Sequence, residues 1–114
     1  MIWLKYADLT GQPASWNEAF SAVKKLNIKR VGGYSDWRLP NIRELESVTD
    51  MGSHSPALQP KHPFTKVQEG YWSSTTSVYE PSYAWVLYTL DGAVGVGYKS
   101  LSEFYVWAVR SGSG

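Results

Sequence analysis

Trp16, Ala19, Phe20, Val23 and Leu26 recur at three- and four-residue spacing, the apolar stripe of a helix lying on a core. Ahead of the stripe, Ser15-Trp16-Asn17-Glu18 is a capping box: the Ser15 hydroxyl and the Glu18 carboxylate satisfy each other's exposed amides. The spacing predicts that this helix ends near Asn27, with Gly32-Gly33 stopping the segment. A second, short helix is predicted behind Asn41, with Glu44 at its box position and Ile42, Leu45 and Val48 on one side. Pro40 keeps Leu39 extended and so fixes how the chain approaches that helix. Before both helices, Ile2 to Tyr6 reads as a short strand and Gly11 to Ala14 as a turn.

The pattern changes in the second half. Met51 to Glu69 is irregular, because Pro56, Pro60 and Pro63 forbid a continuous helix or central strand, and it is expected to pack around Leu58, Phe64 and Val67. Tyr71 to Thr76 reads as a strand. Ala84 to Leu90 and Ala93 to Lys99 flank Asp91-Gly92, a strong hairpin signal. A two-residue turn there sets Leu90 opposite Ala93, Thr89 opposite Val94, Tyr88 opposite Gly95, Leu87 opposite Val96, Val86 opposite Gly97 and Trp85 opposite Tyr98. Both faces of such a hairpin are expected to be covered to some degree. Phe104 to Arg110 reads as a last strand, and Ser111 to Gly114 as a polar tail.

Composition narrows the function classes. The 114 residues suit one domain, expected over 1–114, and carry 11 Lys plus Arg against 10 Asp plus Glu. Near-neutral charge gives no pull towards nucleic acid or an anionic membrane, and no apolar run is long enough for membrane insertion. No signal peptide is visible in this chain, so a cell-surface or secreted location is expected only within a larger exported protein. The 6 Trp, 8 Tyr and 3 Phe point to an aromatic core, with Trp16, Trp37, Trp72 and Trp85 expected at its packing centre. Cysteine is absent, which excludes disulfides, thiolate nucleophiles and Cys-based metal sites.

Catalytic and cofactor motifs are missing, and no enzyme activity, cofactor or metal is expected. Asp50 and His54 stand four apart, but Gly52 and Pro56 leave no helix to align them, and His54 and His62 read as loop histidines. Ser73-Ser74-Thr75-Thr76 reads as hydroxyls meeting backbone or buried polar partners. Lys24, Lys25, Lys29 and Arg30 suit the C-terminal end of the first helix, although a heparin-like or phosphate partner could use the same patch. Asp36-Trp37-Arg38 reads as a structural clamp, in which the Arg38 fork ties loop groups and a carboxylate together; anion recognition by Arg38 is the functional alternative.

The run Gly32 to Leu45, GGYSDWRLPNIREL, resembles the signature of the Lcl C-terminal (DUF1566) family. The resemblance extends to Trp16 and Ala19, to Tyr71-Trp72-Ser73-Ser74-Thr75, to Trp85 with Leu87 and Gly92, and to Val106, Val109 and Arg110. The motif residues Trp16, Asp36, Trp37, Arg38, Pro40, Glu44, Trp72, Ser73, Ser74, Trp85 and Arg110 are expected to be structural. The resemblance implies an α+β, C-type-lectin-like compact domain with two helices, a small twisted antiparallel sheet and long irregular loops. It also implies a role in bacterial surface proteins, including a collagen-like adhesin that binds sulfated glycosaminoglycans and is trimeric through this domain. Relatives often carry a cysteine pair where this chain has Val23 and Ala108, and an arginine where it has Trp107. The formylglycine-forming enzymes of the same fold need active-site cysteines, so that activity is excluded.

Binding is expected in the loops around the sheet. Tyr79 and Tyr83 would stack on a sugar or pack on a protein, and Lys99 and Glu103 would supply a polar rim; the bland alternative has both tyrosines covering the hairpin. Two functions follow: a carbohydrate- or glycosaminoglycan-binding module of an adhesin-like protein, or a protein-binding or assembly domain of a mobile-element or phage-associated protein. A homo-oligomer fits either.

Overall fold

A computed structural model describes residues 2–49, 58, 64–89 and 91–111. Strand β1 (Ile2–Trp3) opens the chain, followed by helix α1 (Trp16–Lys29), a 3-10 turn (Val31–Gly33) and helix α2 (Ile42–Ser47). Strands β2 (Gly70–Thr76), β3 (Tyr83–Tyr88) and β4 (Val94–Tyr98) form a three-stranded antiparallel sheet, and β5 (Val109–Arg110) pairs antiparallel with β1. The α+β class, two helices and small antiparallel sheets match the expectation.

Both capping boxes form. Glu18 accepts from the Ser15 amide at 2.8 Å while Ser15 Oγ accepts from the Glu18 amide at 3.3 Å; Asn41 and Glu44 exchange the same pair at 2.8 and 2.9 Å. Helix α1 runs to Lys29, beyond the expected Asn27. Arg30 ends it in the left-handed region at φ 52°, and Gly32-Gly33 lies in the turn that follows rather than at the stop. Asn27 anchors this end, donating to the Trp37 carbonyl at 2.9 Å and accepting from its amide at 2.7 Å. Val48 caps α2 from outside the helix.

Alternation along the strands divides the interior into two apolar clusters, one on each side of the sheet. Trp72, Ala84 and Val86 join Ala19 and Val23 of α1, Trp37, Leu39 and Phe104. Tyr71 and Leu87 join Leu45 of α2, Ala7 and Trp107. Leu58 is buried, and Phe64 and Val67 pack against the second cluster, as expected for that stretch; its prolines and both histidines lie outside the described residues. Val23 and Ala108 both sit in the first cluster.

Four sequence expectations are corrected. The hairpin pairs Leu87 with Val94, Trp85 with Val96, Val86 with Gly95, Ala84 with Gly97 and Tyr83 with Tyr98, a shift of two residues that preserves both faces. The loop closes instead at Tyr88, whose amide donates to the Ala93 carbonyl at 2.8 Å and whose carbonyl accepts from the Gly92 amide at 2.9 Å, while the Asp91 carboxylate takes the Ala93 amide at 2.9 Å, so the turn is longer than two residues. The expected Leu90 contact lies outside the described residues.

The strand expected over 104–110 is an extended segment that changes partner repeatedly, and only Val109–Arg110 is ladder. Likewise the strand expected from Ile2 to Tyr6 shrinks to Ile2–Trp3, because Lys5 and Ala7 turn to Thr65, with bonds of 2.9 and 2.8 Å. Finally, Trp72 and Trp107 are the fully buried tryptophans and Trp37 is nearly so, whereas Trp16 and Trp85 are only half-buried. Trp107 packs against Trp3, Phe64 and Tyr71 at ring distances of 4.9, 4.7 and 5.1 Å.

Between Trp72 and Thr76 the β2 register slips. There the Ser74 amide reaches the Pro40 carbonyl (2.8 Å), Ser73 Oγ donates to the Trp85 carbonyl (2.6 Å), and Thr75 Oγ1 accepts from the Ile42 amide (3.0 Å). The irregularity thus joins the sheet to the start of α2, and the hydroxyls serve backbone partners as expected.

The glycines of β4 make a sharp stability test. A Cβ at Gly97 would lie 2.5 Å from Phe104 and 2.9 Å from Trp72, both buried; one at Gly95 would lie 2.8 Å from Tyr88, whose ring is 38% exposed and free to swing. Gly97→Ala should therefore cost about 1–3 kcal/mol, and Gly95→Ala clearly less, in urea denaturation. Equal costs would show that the Phe104–Trp72 contact is not the tight one.

Candidate functional site

The Asp36-Trp37-Arg38 motif is a clamp in the structure. Arg38 Nη1 and Nη2 donate to the two oxygens of Glu44, both at 2.6 Å, and its backbone amide and carbonyl bond Val109 at 2.8 and 2.9 Å. One residue thereby ties α2 to β5. Asp36 receives Arg110 through Nε at 2.8 Å and Nη2 at 3.2 Å, and the Arg110 guanidinium lies 3.6 Å from the centre of the Tyr34 ring. Trp37 is fixed by its indole N–H on the Val31 carbonyl at 2.9 Å. The guanidinium of Arg38 holds the Glu44 carboxyl below its ordinary range, against the opposing pull of burial. Hydrogen bonding from Arg110 does the same for Asp36. Both forks face protein carboxylates, so Arg38 is spent on Glu44 rather than offered to an anion.

The basic residues at the end of α1 are divided. Lys25 and Lys29 line a hollow that also contains Glu18, Thr10 and Gln12, while Lys24 lines another beside Phe20, Trp37 and Arg38. Among the described residues, no group of three or more His, Cys, Asp or Glu could hold a metal ion, and the Asp50–His54 pair lies outside them. No helix among the described residues is long and apolar enough to cross a membrane.

The β2–β3 connection builds a groove on the same face of the sheet as Leu87 and Tyr71, beyond the part that α2 covers. Its lining is Ser77, Tyr79, Glu80, Tyr83, Trp85 and Val96. Ser77 Oγ accepts from the amides of Tyr79 and Glu80 at 3.3 and 3.4 Å, the Ser77 amide donates to the Tyr83 carbonyl at 3.0 Å, and the Tyr83 amide to the Glu80 carbonyl at 2.9 Å. This closed turn presents Tyr79 with 90% of its surface exposed. The Glu80 carboxylate is oriented by the Ser82 hydroxyl at 3.1 Å. Tyr83 is half-buried, edge-on to Tyr98 at 5.2 Å.

Of the four residues expected to bind, Tyr79 and Tyr83 come together here. Lys99 and Glu103 do not line the groove. The Lys99 ammonium sits 4.0 Å from the centre of the Trp16 ring and donates to Thr76 Oγ1 at 2.9 Å, and Glu103 is exposed elsewhere. Glu80 lies in the loop expected to bind, whereas Trp85 and Val96 were not among the expected binders; the alternation that puts those two on one face was the available signal.

The Lcl C-terminal domain model matches residues 1–110. The chain belongs to that family. No curated protein matches the sequence. In this Lcl C-terminal domain the signature arginines are bonded to protein carboxylates, and of the groove's lining residues Trp85 belongs to the signature.

Arg38→Ala should cost about 1–3 kcal/mol at pH 7, since it leaves Glu44 without its fork while Arg38 itself is partly solvated. Because Glu44 is lowered in the folded state, its contribution is complete above the ordinary carboxylate range and fades as the pH falls through its folded value. Urea midpoints of wild type and R38A should thus converge at acid pH. A gap that stays constant from pH 7 to about pH 2 would refute the pairing as its source.

Proposed function

We propose that the chain is a non-enzymatic, glycan-binding module of an adhesin-like or surface protein, and that the groove of Tyr79, Glu80, Tyr83 and Trp85 is its binding site. The observation that carries this reading is the exposed Tyr79, which lines one groove with Tyr83, Trp85 and the oriented Glu80 carboxylate. Aromatic rings pack on the apolar face of a sugar at low entropy cost, while a carboxylate accepts from its hydroxyls. Glu80 is the charged side chain in the lining, which disfavours sulfated chains and favours neutral sugars at this position. The alternative, a protein-interaction or assembly role, is favoured by Val78 and Tyr79 being exposed together at the loop tip.

A glycan array read at low and physiological salt tests the assignment. Neutral glycans should bind with little salt dependence, and Tyr79→Ala should weaken them about tenfold or more while changing stability by less than about 0.5 kcal/mol. Binding confined to sulfated glycans at low salt, or unchanged in Y79A, would move the site away from this groove. No binding to any glycan would leave the protein-interaction reading in its place.

A further inference from the structure

We propose that β4 is a pairing edge for a second copy of this chain, the two β4 strands running antiparallel about a twofold axis at Val96. Strand β4 ends the sheet order β2-β3-β4, and no described residue pairs with its outer side. The ladder to β3 settles which groups face outward. The Lys99 amide bonds the Ser82 carbonyl at 2.9 Å and the Tyr88 amide bonds the Ala93 carbonyl at 2.8 Å, so by alternation Gly97 and Gly95 bond Ala84 and Val86. The amides and carbonyls of Val94, Val96 and Tyr98 therefore point away from β3, and of these the Tyr98 carbonyl alone takes an internal donor, the Leu101 amide at 3.0 Å. The edge closes just past this run, where the Trp16 amide bonds the Lys99 carbonyl at 3.0 Å.

Natural edge strands are guarded against such pairing by charges, prolines or bulges. From Gly92 to Tyr98 this chain has none of these: the run is Gly-Ala-Val-Gly-Val-Gly-Tyr, and β4 pairs with β3 in unbroken register. Val94, Val96 and Tyr98 are 40, 44 and 40% exposed. The strand is also complementary to itself. Centred on Val96, antiparallel pairing sets Val96 against its own copy and Val94 against Tyr98, allowing up to about six inter-strand hydrogen bonds. Antiparallel pairing also keeps the two Asp91 carboxylates at opposite ends of the seam, whereas parallel pairing would set them side by side. A twofold perpendicular to the sheet keeps the faces in common, so the two grooves containing Trp85 and Val96 would open on the same side.

The natural absence of cysteine permits a register-specific test. Val96→Cys should form a disulfide-linked dimer under oxidised glutathione, since twofold-related strand partners fall within disulfide reach, whereas Val94→Cys should not, its own copy lying far along the strand. Sedimentation equilibrium of the unmodified chain should show a reversible monomer–dimer equilibrium between about 1 μM and 1 mM. Val96→Pro, which removes an outward amide without touching the β3 ladder, and Val96→Lys should each weaken it at least about tenfold, with the near-UV circular dichroism retained. Should both variants unfold, the cysteine contrast decides. A chain monomeric throughout, a trimer, dimers undiminished in folded V96P and V96K, or equal cross-linking of V94C and V96C would each overturn the proposal. Because Val96 also lines the groove, the separating variant is Tyr79→Ala, off the strand, which should weaken glycan binding and leave the dimer equilibrium unchanged.

Discussion

The extended backbone of residues 104–110 is the constraint on which the rest of the chain depends. Its carbonyls and amides meet Ala14, Gly70, Trp72, Leu9, Leu4 and Arg38 in turn, over bonds of 2.8 to 3.1 Å. These six partners belong to four local pieces: the lead into α1, the start of β2, the N-terminal segment, and the signature before α2. None of those pieces is long enough to stand alone, since β1 and β5 have two residues each and α2 six. The segment also divides its side chains, Phe104, Val106 and Ala108 entering one apolar cluster and Trp107 the other. One stretch of chain thus supplies backbone partners to both ends of the fold and apolar mass to both of its clusters.

This dependence explains what the sequence disclosed and what it withheld. Both capping boxes were legible, because Ser15 with Glu18 and Asn41 with Glu44 act within a single turn of chain. The Arg38 clamp was legible in kind, since a buried tryptophan beside an arginine demands a carboxylate; that the carboxylate is the Glu44 already committed to capping needed the structure. The hairpin register was not legible. Asp91-Gly92 is a sound turn signal, but the loop closes at Tyr88, which binds both the Ala93 carbonyl and the Gly92 amide, and the Asp91 carboxylate takes the Ala93 amide that a two-residue turn would use. The place of Trp107 was hidden for a similar reason. Where both faces of a segment are covered, alternation does not tell the deeper side, and the ring found its cage in Trp3, Phe64 and Tyr71. For the groove, the exposed tyrosine was foreseeable from its polar loop, whereas its floor depended on the pairing of Trp85 with Val96.

Without cysteines, the domain fastens its edges electrostatically. Arg110 is almost fully buried while its partner Asp36 remains largely solvated, and the Tyr34 ring covers the guanidinium from the other side. A solvated partner keeps the desolvation cost on one ion only, and the ring supplies an apolar cover that still favours positive charge. Val23 and Ala108 contribute apolar volume to the first cluster.

Family membership and ligand are separable here because they reside in different residues. Most signature side chains are consumed internally: Arg38 by Glu44, Arg110 by Asp36 and Tyr34, Trp37 by Val31, Trp72 by the Ala14 carbonyl. The β2–β3 loop and β4 lie outside that bonding scheme, and Trp85 is the signature tryptophan that lines the groove. Sequence change at Val78, Tyr79, Glu80, Val94 or Val96 would alter the open surface while leaving the clamp, the caps and the 104–110 ties intact. That separation follows from the sheet being covered by α2 over Leu87 and Tyr71 but not over Trp85. A short second helix therefore determines how much aromatic surface this fold has left to offer a partner.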